Sequence, residues 1–84
     1  MPYIKQEDKN RLEHGWAASN PGDLNYLFTG LINHYIQQRG LNYQHINDIV
    51  GALEGAKAEF QRRIVGPYED KKIEENGDVY TIRI

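Results

Sequence analysis

The chain contains no cysteine. That excludes a disulfide framework and any thiolate metal site, and it suits a reducing compartment. Long hydrophobic runs are missing as well: no apolar stretch approaches the ~20 residues needed to cross a bilayer. The opening MPYIKQEDKNRLEHGW has no apolar leader core. A soluble, cytoplasmic chain is expected, without a leader and without a membrane partner. Nor is there an excess of either charge. Ten basic and twelve acidic residues leave a net charge of −2, and the two signs are interspersed. With no basic stripe to neutralise a phosphate backbone, duplex nucleic acid is not an expected partner.

What is present is enough to fold. Of the 84 residues 39% are hydrophobic, and the aromatics comprise six tyrosines, two phenylalanines and one tryptophan. Residues 1–84 are expected to form a single small helical domain. A core of this size leaves a surplus of roughly 5 kcal/mol or less, so a partner subunit would help, and a homo-oligomer is expected.

Two segments carry strong helical signals. In SNPGDLNYLFTGLINHYIQQRG, Ser19 or Asn20 can cap and Pro21 suits the first turn; Asp23 complements the dipole and Gly40 terminates. Between them Leu24, Leu27, Phe28, Leu31, Ile32, Tyr35 and Ile36 make a broad apolar face. In LNYQHINDIVGALEGAKAEFQRRIVG, Asn42 or the Asn47–Asp48 pair starts a second helix. Its stripe is Ile46, Ile49, Val50, Leu53, Ala56, Phe60 and Ile64, and Gly66–Pro67 is expected to stop it. The short connection after Gly40 makes the two helices antiparallel neighbours. Ahead of them, a short amphipathic helix with Ile4, Leu12 and Trp16 on one line is expected to lie loosely on the core.

The tail GPYEDKKIEENGDVY admits two readings. Asn76–Gly77 between two six-residue arms is a hairpin signal that pairs Ile73 with Tyr80 and Asp70 with Arg83, and this is the preferred reading. The alternative is a short helix with Pro67 in its first turn, Glu69 and Asp70 near its positive end, and Gly77 past its end. The fold class is therefore mainly α: an antiparallel helical hairpin core with a short N-terminal helix and a C-terminal β-hairpin or short helix.

Motifs for chemistry are scarce. His14, His34 and His45 show no metal-ligand spacing and read as solvated or satisfied side chains; no metal and no cofactor are expected. There is no nucleophile elbow, phosphate loop or dinucleotide fingerprint, and the tail's carboxylates alternate with lysines as on a solvated face. No catalytic residue is assigned, and the chain is not expected to be an enzyme. Gly51 and Gly55 lie a turn apart among alanines. Each interior glycine costs about 1 kcal/mol relative to alanine, which close approach of another backbone would offset, either within the fold or across a two-fold dimer axis; in the second case they are candidates for an oligomer interface. Arg62 and Arg63 stand at the negative end of a helix dipole. Their plain role is charge complementation there; their sharper role is to grip a small anionic ligand or a partner carboxylate, with Tyr68 stacking nearby. With Glu69, Asp70, Lys72, Asn76, Asp78 and Tyr80 they form the candidate ligand- or partner-binding set.

Four stretches, MPYI, PGDLNY, LEGAKAEFQRR and PYEDKKIEENGDVY, cover most of the chain and carry a resemblance. It resembles an uncharacterised family of small proteins found in bacteria and their phages. The resemblance implies a phage or prophage setting and stoichiometric action in the host cytoplasm, on a host protein or a nucleotide-like small molecule, as in interference with host defence. A structural or accessory interaction protein without a small ligand is the alternative.

Overall fold

A computed structural model describes residues 2–15 and 17–82. Trp16 and Arg83, placed above on the first helix's apolar line and opposite Asp70, lie outside them. The described residues are mainly helical and include no strand. The elements are α1 (Gln6–Glu13), α2 (Pro21–Arg39), α3 (Tyr43–Phe60), a π-helical turn (Gln61–Val65) and α4 (Gly66–Asn76). The chain divides into two compact units, Met1–Ile46 and Asn47–Ile84, with the boundary one turn into α3.

In the first unit α1 packs on α2. Acidic Glu7 and Asp8 sit in the first turn of α1, and the turn after it ends at Gly15, whose φ of 87° favours glycine. Leu12 is buried, 5% exposed, beside Tyr26 and Leu27 of α2. The start of α2 follows its sequence closely. Asn20 accepts a hydrogen bond from the Asp23 N–H at 2.9 Å, Pro21 needs no partner for a missing N–H, and Gly40 closes the helix with φ 90° and an N–H donated to the Ile36 carbonyl. Of the two candidate starts for α3, Asn42 is the one used: its side chain accepts the His45 N–H at 2.9 Å.

In the second unit the helix does not stop at Pro67. The rest of α3, the π turn and α4 follow one another without a break. The expected termination at Gly66–Pro67 fails for a physical reason. Proline lacks an N–H, and in a regular α-helix its ring collides with the carbonyl four residues back. Here the preceding backbone opens into a π turn, and the Gly66 N–H donates to the Gln61 carbonyl five residues back. A Cβ at residue 66 would stand 3.4 Å from that oxygen, an ordinary contact, so the widened turn does not itself require glycine.

The preferred β-hairpin reading of the tail is also overturned, and its helical alternative holds. Residues Gly66–Asn76 are α4, and Gly77 caps it with φ 86° and an N–H donated at 2.8 Å to the Ile73 carbonyl. The pairing of Ile73 with Tyr80 has no strand to support it. No described side chain from Asn47 onward is buried.

Candidate interaction surface

The most tightly held group is a carboxylate in the PGDLNY stretch. Asp23 is 1% exposed, and its Oδ2 accepts from the Ser19 N–H and hydroxyl, both at 3.0 Å, and from Arg11 Nη2 at 2.6 Å. Arg11 also donates to the Ala17 carbonyl at 3.1 Å and to Asp8 at 3.4 Å. The Ser19 backbone N–H, then the guanidinium, hold the Asp23 carboxyl below its ordinary value; the hydrogen bond to Asp23 pushes Arg11 up. The result is a clasp that fixes α1 and the intervening loop on the first turn of α2. Reading Asp23 as a dipole charge missed this, because its partner lies twelve residues away on α1.

Recesses are formed by described residues of the first unit. One is an open, mostly apolar groove of about 490 Å³ lined by Leu12, Glu13, Tyr26, Leu27, Gly30 and Leu31. On its rim the Tyr26 hydroxyl donates to Glu13 at 3.2 Å, and burial, then that carboxylate, raises the tyrosine's pKa. Another, about 450 Å³, is lined by Gln38, Arg39 and His45. Tyr35 organises its wall: Arg39 lies over the ring at 5.3 Å and His45 meets its edge at 6.0 Å, while His45 Nδ1 donates to the Gly40 carbonyl. The signal for this cluster was the i, i+4 spacing of Tyr35 and Arg39, one helical turn apart.

The proposed tail set is distributed, not gathered. Arg62 and Arg63 both turn to Glu59, at 3.2 and 3.6 Å, so the pair is engaged within its own helix. Tyr68 and Lys72 do meet, the ammonium 5.6 Å from the ring centre, and Lys72 also bridges to Glu75 at 3.2 Å. Glu69 and Asp70 are exposed in the first half of α4, and Asn76 is its last residue. Asp78 accepts the Tyr80 N–H at 2.9 Å in a local turn, with Tyr80 exposed. Gly51 and Gly55 are exposed in α3, and an added Cβ at either would meet nothing within 4 Å. His14 Nδ1 donates to the Asn10 carbonyl, and His34 is exposed on α2. Among the described residues no three His, Cys, Asp or Glu side chains cluster so as to hold a metal ion, and no helix is long and apolar enough to cross a membrane.

An extended apolar stripe is exposed on α3. Ile46, Val50, Leu53 and Phe60 recur three, four or seven residues apart and so share one side of the helix, and Ile64 in the π turn extends the line. All five are exposed, Phe60 by 58% and Val50 by 54%. Gly51 and Gly55 point away from this stripe, toward the opposite side of α3.

The described residues thus make a helical protein with one clasped corner and one long, apolar-striped helical run. The chain belongs to the family described as Domain of unknown function (DUF6899), whose model matches residues 1–79. No curated protein matches the chain, and no solved structure does.

Proposed function

We propose that this protein is a non-enzymatic binding module of phage or prophage type. It acts stoichiometrically, as a homo-oligomer, on a host protein or a nucleotide-like small molecule in the host cytoplasm. The observation that carries the reading is the exposed stripe of α3, where an amphipathic helix presents five large apolar side chains and the unit that holds most of it buries none. Such a stripe is stable only when covered, and exposed apolar patches mark interaction sites. The exposed Tyr68–Lys72 face of α4 and the turn at Asp78 then offer aromatic and charged contacts to the bound partner.

Arg62 and Arg63 favour a second reading. Both pair with the single Glu59 carboxylate, which offsets one of their two positive charges, leaves less for an anionic ligand and suits a structural or accessory interaction protein. Native mass spectrometry of the protein purified from a host that expresses it, followed by thermal shift against nucleotides, separates the two. An oligomer carrying a small molecule, or stabilised by a few kcal/mol with nucleotide well above Kd, supports the ligand-binding module. Co-purification of one host protein supports an inhibitor of that protein. An oligomer with neither leaves the accessory role, and a chain that stays monomeric sinks the homo-oligomer.

A further inference from the structure

We infer that α3 is the self-association element, pairing antiparallel with α3 of a second copy across a two-fold axis near Gly55. The inference deepens the homo-oligomer reading above and rests on it.

Charge selects the occupant and its direction. Within the stripe one position is charged: Lys57 falls between Leu53 and Phe60 on the same side of the helix. Glu54 flanks the stripe on the Val50 side. Neither Glu54 nor Lys57 has an ion-pair or hydrogen-bond partner among the described residues, whereas nearby Glu59, Arg62 and Arg63 are paired with one another. In a parallel, in-register pair, Lys57 would face its own copy across the seam and two ammonium groups would share an apolar site. Turning one helix round removes that conflict. With the axis near Gly55, Val50 meets the partner's Phe60, Ile46 meets the partner's Ile64, and the aliphatic stem of Lys57 lies along the partner's Leu53. Its ammonium then reaches the partner's Glu54, and the symmetry makes this contact twice. Both unpartnered charges are thereby satisfied by the same register that covers the apolar stripe.

The area is sufficient. Covering Ile46, Val50, Leu53, Phe60 and Ile64 removes on the order of 500 Å² of apolar surface from each chain, so about 1,000 Å² for the pair, which reaches the lower edge of a specific interface. Gly51 and Gly55 lie on the far side of this contact.

The test uses the full chain and charge reversal. Glu54→Lys and Lys57→Glu should each weaken self-association about tenfold, measured by sedimentation, because two attractive contacts become two repulsive ones. An equimolar mixture of the two variants should form mixed dimers in preference to either homodimer, and the double variant should regain the parent's affinity. Because the chain has no cysteine, crosslinking gives an independent readout that survives partial loss of stability. Val50→Cys and Phe60→Cys chains, mixed, should join to each other and not to themselves. Self-joining of Val50→Cys would mean parallel helices and overturn the inference. A protein that remains oligomeric while the charge variants and their mixture behave like the parent would overturn it too, yet leave the homo-oligomer standing. A monomer at every concentration would overturn both, and would assign the stripe to the chain's own α2 or to another protein.

Discussion

The clasp at α1–α2 and the stripe on α3 are opposite solutions to the same shortage of core. In the first, three donors converge on one carboxylate oxygen, and the same residue's N–H is held by Asn20, so position is set by directed hydrogen bonds within the chain. In the second, backbone bonds and capping define the helix but its apolar side is left for something else to cover. A small chain can thus fix a corner with polar contacts, but it cannot seal a long amphipathic helix with them. That is why function is sought at the stripe.

The comparison can be broken most severely at the stripe itself. Leu53→Asp would bury a carboxylate in the proposed contact, and its expected effect is loss of assembly by 100-fold or more, on the order of 3 kcal/mol, read by sedimentation while the clasp stays intact. Next in size is Asp23→Ala, which removes the centre of the clasp. It should lower Tm by about 10 °C and release α1 amides to rapid hydrogen exchange, without changing which face of α3 self-associates.

The clasp also has a pH signature. Folding depresses Asp23 below its ordinary 3.8, so between the folded and unfolded pKa values the unfolded chain binds more protons and stability rises with pH. The clasp's contribution is complete above the ordinary value and is lost as acid takes the pH down through the depressed one. Thermal melts from pH 6 to pH 2 should show this loss in the parent and not in Asp23→Ala.

A smaller effect is expected at Pro67. Pro67→Ala restores an N–H and lets the π turn close to a regular α turn, so the run from α3 to α4 should gain helical stability by about 1–3 kcal/mol, measured by denaturant unfolding. The smallest sharpens the oligomer question. Gly51→Ala and Gly55→Ala place a methyl group in open space, and each should stabilise α3 by up to about 1 kcal/mol with assembly unchanged. Weaker assembly would instead place the small-residue side of α3 in the interface.

Much of this architecture was legible in the amino-acid order where the signals are local. Asn20, Pro21 and Gly40 bound α2 as their chemistry requires, and Asn42 starts α3. The tail was ambiguous because one dipeptide serves two structures. Asn-Gly suits a two-residue hairpin turn, and a glycine with positive φ equally ends a helix; Gly77 does the latter. The clasp was not legible because Arg11 and Asp23 are joined through space, with no spacing rule to link them. Of the tail set, the Tyr68–Lys72 contact follows the i, i+4 rule. The turning of Arg62 and Arg63 toward Glu59 follows the same rule, and it weakens the ligand role that the arginines alone suggested.

The π turn has one more consequence, which concerns the helical reading frame. By accommodating an extra residue between Gln61 and Val65, it sets everything downstream back by about 100°, as though one letter had been deleted. A constant period would carry the line of Leu53 and Phe60 on to Pro67 and Lys71. With the frame reset, that line passes through Tyr68 and Lys72 instead, the two residues of α4 that meet as ring and ammonium. Pro67 is then less a stop signal than a phase-setter: it exchanges a proline and a lone lysine for an aromatic–cation pair in continuation of the seam.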